Sequence, residues 1–388
     1  MDNNNPVEAP NEDLEDVYNE EDFTYVGDVE DFLDELEEVS CDEEYDPPRD
    51  DSIRTFTLDE DDESAFCIAI HPDDKMYAAG TEADKLYVWH ADGVNKCSFD
   101  FEDSVICVEF STDGTLLAAT DMAGNLKVYD VTKNPFNVVF EYEVGDTQFL
   151  IWHKQAHVVF CGSITGDIYV LKVPTGDCKM LLGHGVKVNC ASLMADGLRL
   201  AAGYLDGAVK IWDIKSTTVQ NQINADSQII SIDTHIDNKL IMIGTEEGNM
   251  SLINGAKVLN TIRLGDSVES VIFYNNPELN LAAVGCLNGT IVIWDVAKNA
   301  LRHKLELRKS VILVQWLPGA KIISAHLDGC VRIHDGRSGV LESVFMGHKR
   351  AILDFAISKN HKTFATASDD STAKLFDLTN PPQEEMES

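Results

Sequence analysis

The sequence has few basic residues, no long apolar run and no feature of a secretory signal. Lysine and arginine number 30 against 67 aspartates and glutamates, so the chain carries a formal net charge of -37. A surface of this sign repels polyanions, which excludes nucleic acid and anionic membranes as direct partners and favours a basic protein. No apolar stretch approaches the length of a membrane span, and the opening Met1-Asp2-Asn3-Asn4-Asn5 has neither a basic nor an apolar segment. We therefore expect a cytoplasmic protein, with the nucleus as a second location.

The sequence also lacks the motifs of common enzyme and metal sites. Its nine cysteines are scattered without a Cys-x-x-Cys pair, which argues against a zinc module and a disulfide scaffold. It has no phosphate-binding glycine loop ahead of a helix, no Gly-x-Ser-x-Gly elbow and no His-Glu-x-x-His helix. We therefore expect no catalytic residue, no cofactor and no bound metal.

The N-terminal segment differs in composition from the rest of the chain. Residues 1–51 contain 22 acidic residues and a single base, Arg49, a composition typical of a disordered, solubilising tail. The alternative is an acidic amphipathic element that docks on a partner or on a basic patch of the same protein. Four apolar residues at i, i+3, i+4 and i+7 would form the apolar face of such a helix: Val29, Phe32, Leu33 and Leu36.

From residue 52 onward the chain repeats itself. The segment Leu200–Asp213 recurs as Leu281–Asp295, with one extra residue ahead of the glycine. Alignment on the tryptophan of these segments gives eight equivalent positions: Trp89, Tyr129, Leu171, Trp212, Ile253, Trp294, His334 and Phe376. Their successive spacings are 40, 42, 41, 41, 41, 40 and 42 residues. Such even spacing predicts eight repeats of one structural unit.

Each repeat consists of short apolar runs bounded by turns. In the second repeat the run Val105–Phe110 is followed by a polar turn at 111–114 and a second run at 116–119. Runs of this length and composition predict β-strands. A tight turn with a glycine, which a short hairpin favours, follows in six repeats. Four strands per repeat of about 40 residues predict an all-β, eight-bladed β-propeller.

The repeats resemble the WD-repeat family. Trp-Asp occurs at Trp212-Asp213 and Trp294-Asp295, and Gly-His occurs at Gly183-His184 and Gly347-His348. In that family a His, a Ser or Thr, an Asp and a Trp form a hydrogen-bonded set that braces the blade. The resemblance implies partial sets in two repeats, which we expect to be structural: His184, Asp206 and Trp212 in the fourth, with Ala202 in place of the hydroxyl, and His348, Thr366 and Asp370 in the eighth, with Phe376 in place of Trp.

The last repeat ends near Leu378, after its third strand. Residues 52–58 precede the first repeat and alternate like a strand. We predict that they form the outer strand of the eighth blade and so join the two ends of the ring. The predicted organisation is an acidic tail at 1–51, a propeller at 52–378 and a C-terminal tail at 379–388.

With no catalytic motif, function is expected on the loops of a rigid disc. Two sets of loops should meet on one face, here called the loop face: the loops that enter each blade and the turns between its second and third strands. The acids in these loops form a predicted partner-binding acidic arc: Glu82, Asp103, Asp121, Asp146, Asp226, Glu246, Glu247 and Asp266. A smaller basic sector over blades 7 and 8 contains Arg308, Lys309, Lys349 and Arg350, with Asp328 and Asp370 nearby.

Two interpretations of the acidic arc stay open. An Asp at the start of a loop often accepts backbone N–H bonds, which would explain why Asp-Ser or Asp-Thr recurs at four blade entries. The other interpretation is a negative face that attracts a segment rich in lysine and arginine. One residue can serve both purposes. The basic sector could then hold the acidic tail in the absence of a partner, and removal of residues 1–51 would strengthen partner binding.

Stretches between the repeat motifs resemble one WD-repeat family, that of angio-associated migratory cell protein and its relatives. The resemblance covers about residues 60–378 and is carried by 121–128, 172–179, 201–207, 267–273, 281–284, 301–303 and 352–358. It implies a non-enzymatic cytoplasmic binding protein. The fungal relatives chaperone a large-subunit ribosomal protein by capturing its basic N-terminal segment on an acidic face, and the animal relatives are linked to cell migration and angiogenesis.

From these observations we expect a monomeric chaperone or assembly factor for a basic ribosomal protein. The alternative is a cytoplasmic signalling scaffold in cell migration and angiogenesis. A chaperone complex should be one-to-one and sensitive to salt, whereas a scaffold should bring together several partners with less dependence on salt.

Overall fold

The computed structural model describes residues 47–59, 63–91, 96–276, 278–307 and 309–382. The acidic tail up to residue 46, with its apolar spacing from Val29 to Leu36, lies outside these residues, as does Arg308 of the basic sector. The described ranges contain 32 strands and no helix, so they hold no helical segment capable of crossing a membrane. The eight cysteines within them are free thiols.

The strands form eight four-stranded antiparallel sheets, the blades of the propeller. The chain begins with β1 (Arg54–Thr57). Blade 1 contains β2 (Ala65–Ile70), β3 (Met76–Thr81), β4 (Lys85–His90) and β5 (Lys96–Asp100). Blade 2 contains β6 (Val105–Phe110), β7 (Leu116–Asp121), β8 (Asn125–Asp130) and β9 (Asn137–Glu143). Blade 3 contains β10 (Thr147–Trp152), β11 (Val158–Ser163), β12 (Ile168–Lys172) and β13 (Asp177–Leu181). Blade 4 contains β14 (Val188–Leu193), β15 (Arg199–Tyr204), β16 (Ala208–Asp213) and β17 (Thr218–Asn224).

The second half of the chain continues the same pattern. Blade 5 contains β18 (Ile229–Thr234), β19 (Leu240–Thr245), β20 (Asn249–Asn254) and β21 (Lys257–Arg263). Blade 6 contains β22 (Val268–Phe273), β23 (Leu281–Cys286), β24 (Thr290–Asp295) and β25 (Ala300–Glu306). Blade 7 contains β26 (Val311–Leu317), β27 (Lys321–His326), β28 (Val331–Asp335) and β29 (Leu341–Phe345). Blade 8 contains β30 (Ile352–Ile357), β31 (Thr363–Ser368) and β32 (Thr372–Asp377).

The blades close into a ring of eight. The first strands of neighbouring blades contact one another all the way round, and β30 of blade 8 contacts β2 of blade 1. The order of strands in the eighth sheet is β1-β32-β31-β30, so the N-terminal strand is its outer strand. Phe56 of β1 lies opposite Ala373 of β32 and stacks on Trp89 of blade 1 at 5.0 Å between ring centroids. Both ends of the described chain therefore meet in one sheet, which leaves no open edge between them.

Apolar side chains between neighbouring blades form the core. The eight aligned positions from Trp89 to Phe376 each fall one residue before the end of a blade's third strand, and all are buried. A glycine in the second strand of several blades lets the next blade approach closely. A Cβ at Gly244 would lie 2.3 Å from Cγ1 of Val268 in blade 6, so any side chain there would push two blades apart.

Residues 49–53 form a strap that connects blades 7 and 8. Arg49 donates to the carbonyl of Val344 at 2.9 Å, and Asp51 exchanges two hydrogen bonds with the backbone of Met346. Asp50 pairs with Lys374 of blade 8 at 2.5 Å. The expected boundary of the tail at residue 51 is therefore too late, because Arg49, Asp50 and Asp51 already pack against the propeller.

Candidate functional site

The two predicted sets of loops meet on one face of the ring. In every blade, the N–H of the first turn residue after the second strand donates to a carbonyl of the loop that enters the blade. The donor and acceptor pairs are Glu82–Ser64, Met122–Ser104, Ile164–Asp146, Leu205–Lys187, Glu246–Gln228, Leu287–Ser267, Leu327–Ser310 and Asp369–Ala351. These bonds are 2.9 to 3.2 Å long. Because the bond is repeated in all eight blades, the backbone of the entering loop is fixed against the turn in every blade of the loop face.

A β-bulge in each blade turns the chain toward this face. The pairing of the first and second strands shifts register after the first residue of the first strand in all eight blades, for example between Val188 and Cys190 in blade 4. A bulge of this kind bends the strand and redirects its end. The entering loop is therefore aimed at the turn of its own blade.

Most of the predicted acidic arc lies at the surface. Six of its eight residues are exposed: Glu82, Asp146, Asp226, Glu246, Glu247 and Asp266. Asp103 is half-buried. These seven acids belong to the loops of blades 1, 2, 3, 5 and 6, so their carboxylates give this part of the loop face a negative potential.

The capping interpretation applies to two of the four acids at blade entries. The carboxylate of Asp103 accepts the N–H of Ser104 at 2.8 Å, and that of Asp266 accepts the N–H of Ser267 at 2.8 Å. Within the described ranges, the carboxylates of Asp146 and Asp226 make no hydrogen bond, and both side chains are exposed. Of the four acids at blade entries, Asp146 and Asp226 are therefore the two whose charge makes no structural contact in the loops.

Asp121 does not belong on the surface of the arc. It is the last residue of β7, pairs with Val105 of the inner strand, and is fully buried. Its carboxylate accepts the backbone N–H of Asn125 at 2.7 Å and the side-chain amide of the same residue at 2.8 Å. Asp121 therefore braces the turn, and its prediction as a partner-binding residue is corrected.

The basic sector is smaller than the sequence predicts. Lys309 and Lys349 are exposed, whereas Arg350 is half-buried. The two nearby acids are held within their own blades. Asp328 forms a bidentate pair with Arg332 at 2.7 and 3.0 Å. Asp370 accepts from the N–H of Lys349 at 2.8 Å.

The bracing set of blade 8 includes all three implied residues. Nδ1 of His348 is 2.9 Å from the carboxylate of Asp370, and its Nε2 is 2.6 Å from the hydroxyl of Thr366. Burial raises the pKa of Asp370, but the hydrogen bond and charge of His348 outweigh it and lower the pKa to about 2. Phe376 closes the set with an apolar ring that stacks on Phe364 at 4.8 Å.

Blade 4 has a different bracing set from the one that the resemblance implies. His184 pairs with Asp206 at 2.9 Å, but its other ring nitrogen accepts from Lys210 at 2.8 Å. The indole N–H of Trp212 donates to the hydroxyl of Tyr204 at 3.3 Å. Two residues that the sequence analysis did not single out thus replace the hydroxyl missing at position 202. The sequence did offer one indication of this different set: a tyrosine, Tyr204, at the end of a strand in which the four residues before it are small or apolar.

Three acids on inner strands were also not identified from the sequence. Glu109 accepts the N–H of Trp152 in the next blade at 3.0 Å, Asp233 that of Phe273 at 2.7 Å, and Asp354 that of Ile68 at 2.9 Å. Part of each residue is accessible, but protein encloses its carboxyl group, and this burial raises the pKa of Glu109 to about 8, that of Asp354 to about 7 and that of Asp233 to about 6. Each is the single acid in an otherwise largely apolar inner strand, and this isolation could have identified it as a buried acid.

The described residues contain no group of three or more His, Cys, Asp or Glu arranged to hold a metal ion. His334, at the Trp position of blade 7, is buried, and neither of its ring nitrogens has a hydrogen-bond partner among those residues. Burial lowers its pKa to about 4, with a further contribution from the charge of Arg332. It therefore packs as a neutral ring between blades.

Comparisons with known proteins agree with the repeats and the ring. The family model of the WD domain, G-beta repeat, matches residues 90–130, 176–213 and 339–377. The human angio-associated migratory cell protein is 35% identical over 360 residues, which is 86% of this chain and 81% of that protein. The ribosome assembly protein SQT1 of Saccharomyces cerevisiae is 22% identical over 405 aligned residues, with 91% of this chain and 93% of that protein covered.

A solved structure has the same architecture. The crystal structure of Chaetomium thermophilum Sqt1 bound to the N-terminus of the ribosomal protein L10 superposes with a TM-score of 0.77 at 21% identity, covering 85% of this chain and 100% of that chain. The eight-bladed WD-repeat propeller predicted from the sequence is confirmed.

Proposed function

The chain belongs to the family of angio-associated migratory cell protein, and on that premise we propose that it is a non-enzymatic chaperone or assembly factor that captures a basic segment of a large-subunit ribosomal protein on its acidic arc. The observation that carries the proposal is the set of exposed carboxylates on one rigid face, above all Asp146 and Asp226, which have no structural use in the loops. No catalytic residue, cofactor or metal has a part in this function.

The physical basis of the proposal is electrostatic. Several carboxylates on neighbouring loops add up to a negative potential that attracts lysine and arginine side chains and accelerates their encounter with the face. Each contact at an exposed carboxylate is weak and screened by salt, so many of them must act together. A flexible basic segment can meet several loops at once, which suits an unfolded end of a ribosomal protein.

The relatives support the choice of partner. The yeast relative is named as a ribosome assembly protein, and the Chaetomium relative was solved with the N-terminus of the ribosomal protein L10. A ribosomal protein captured before assembly would be met in the cytoplasm, where it is synthesised. We therefore propose a cytoplasmic location and a monomeric propeller that holds one client.

A second candidate is a signalling scaffold in cell migration and angiogenesis. The observation that favours it is the name of the relatives that are 35% identical, which exceeds the 22% identity of the ribosome assembly relative. Such a scaffold would use several surfaces of the disc and would not depend on the acidic arc.

The test is affinity purification of the full chain at low and moderate salt, with mass spectrometry of the bound proteins. The proposal predicts one basic ribosomal protein, retained at low salt and lost at moderate salt. It also predicts loss of that protein when the four acids at blade entries are changed to lysine: Asp103, Asp146, Asp226 and Asp266.

The control changes two exposed acids away from the loop face, Glu141→Lys on β9 and Glu278→Lys between β22 and β23, and is compared with the double variant Asp146→Lys, Asp226→Lys, which changes the net charge equally. The control should retain the client. A set of signalling proteins that resists salt and survives the four substitutions would overturn the proposal in favour of the scaffold.

A further inference from the structure

One turn position recurs on the loop face in all eight blades. It is the first residue after the second strand, and its N–H donates to the loop that enters the blade. This residue is one position beyond the strand that pairs with the innermost strand, so the eight copies form a ring close to the axis of the propeller. The members of this turn ring are Glu82, Met122, Ile164, Leu205, Glu246, Leu287, Leu327 and Asp369.

Five members of the turn ring are apolar, although the position is at the surface. Met122 is 50% exposed, Ile164 47%, Leu205 46% and Leu327 41%, and Leu287 is half-buried. A turn residue facing water has no packing reason to be large and apolar. Large apolar side chains grouped on one exposed surface mark a place where a partner binds.

Three of the five apolar members lie directly beside the acidic arc. Ile164 is hydrogen-bonded through its backbone to Asp146 itself. Met122 is bonded to Ser104, the residue after Asp103, and Leu287 is bonded in the same way to Ser267, the residue after Asp266. Apolar side chains and carboxylates therefore alternate on neighbouring loops over blades 2, 3 and 6.

We propose that the turn ring binds apolar side chains of the basic segment whose charges meet the acidic arc, so that the partner segment is amphipathic, with leucine, tyrosine or similar side chains among its lysines and arginines. This inference rests on the proposed function and specifies its ligand. A purely cationic segment would leave the turn ring in water and gain nothing from it.

Charge excludes the other occupants of the turn ring. A second copy of this chain would bring a formal charge of -37 to a negative face, and the acidic tail, with 22 acids and one base in residues 1–51, would be repelled in the same way. A basic partner places apolar side chains on the ring without this repulsion and gains attraction to the acidic arc as well.

The experiment compares two synthetic peptides of equal length with the same lysines and arginines. One peptide has leucine and tyrosine between the charges and the other has serine. Calorimetric titration of the full chain should give about tenfold tighter binding of the apolar peptide. The triple variant Met122→Ser, Ile164→Ser, Leu205→Ser should bind both peptides as weakly as the wild type binds the serine peptide.

The matched control removes three equally exposed apolar side chains from outer strands. Val138, Val219 and Leu301 are 43%, 38% and 51% exposed, and their replacement by serine should leave both affinities unchanged. Equal affinity of the two peptides for the wild type would overturn the turn-ring inference and leave the electrostatic proposal standing. Failure of the wild type to bind either peptide would overturn both.

Discussion

The backbone N–H of Ile164 donates a 2.9 Å hydrogen bond to the carbonyl of Asp146. The bond connects an exposed apolar side chain and an exposed carboxylate on one fixed piece of backbone. Neither residue has to be ordered when a partner arrives, so their contribution to binding is not reduced by the entropy of fixing a loop. The same bond in the other seven blades makes the whole loop face a preorganised surface.

The Asp370→Asn variant tests the bracing set of blade 8. The substitution removes the charge that faces His348 and the N–H of Lys349 in a largely buried site. We expect the free energy of unfolding to fall by about 1–3 kcal/mol, measured by urea denaturation at neutral pH. Asp226→Asn is the control, because that acid is exposed and should change the free energy by less than about 0.5 kcal/mol.

The contribution of Asp370 should also depend on pH. Folding lowers its pKa from 3.8 to about 2, so the ionised carboxylate stabilises the folded state. This stabilisation is fully present above about pH 4 and is lost as the pH falls through about 2. The difference between the wild type and Asp370→Asn should shrink over that range, and a difference that grows with acid would contradict the assignment.

The Glu109→Gln variant should show the opposite dependence on pH. Burial raises the pKa of Glu109 from 4.5 to about 8, so the folded state keeps a proton that the unfolded state releases near pH 4.5. The wild type therefore loses stability as the pH rises from about 4.5 to about 8. Glutamine carries no charge and still offers an oxygen to the N–H of Trp152.

We expect the two proteins to be equally stable at about pH 4.5 and the variant to be more stable at about pH 9, by roughly 2–4 kcal/mol. Thermal and urea denaturation at several pH values measure this difference. Glu141→Gln on β9 of the same blade is exposed and should show no such trend. A variant less stable than the wild type at every pH would mean that Glu109 is ionised in the folded protein.

Truncation at the N-terminus tests the strap and the closing strand separately. A chain starting at residue 47 keeps both and should melt at the temperature of the full chain. A chain starting at 54 lacks the strap and leaves the largely buried Lys374 without Asp50. A chain starting at 59 also lacks β1, whose Phe56 is 4% exposed, and its melting temperature should fall by roughly 10 °C.

Single substitutions in the full chain provide the control for these truncations. Phe56→Ala should reproduce a large part of the loss, whereas Ile53→Ala, at a position that is 56% exposed, should not. Equal melting temperatures for the chains starting at 47 and 59 would show that β1 is dispensable for the ring.

The repeat pattern predicted the architecture because strands and hairpin turns are determined by nearby residues in the sequence. The even spacing from Trp89 to Phe376 fixes one position in the third strand of every blade, and the turn glycines fix the hairpins. The run Val105–Phe110 forms β6 with the bounds that its apolar character indicated. The strands and hairpins depend on residues that are close together in the sequence and belong to the same blade.

The details of the site were harder to predict because they depend on contacts between blades. Asp121 is an exception within one blade: it is the last residue of β7, one position before the turn site that Glu82 and Glu246 occupy in their blades, and it is buried there. The roles of Glu109, Asp233 and Asp354 arise from N–H groups about 40 residues away, or at the other end of the chain. The strap at 49–53 was hard to identify because the sequence before it is rich in acidic residues.

The most direct test of the acidic arc is the affinity of a basic, apolar-containing peptide as a function of salt. Three proteins are compared. They are the wild type, an arc variant with Asp146→Lys and Asp226→Lys, and a control variant with Glu141→Lys and Glu278→Lys. The two variants change the net charge by the same amount. The account predicts that the arc variant binds at least about tenfold more weakly at low salt and loses most of the salt dependence, whereas the control variant binds nearly as well as the wild type. Equal losses in the two variants would contradict it, because net charge alone would then explain the binding.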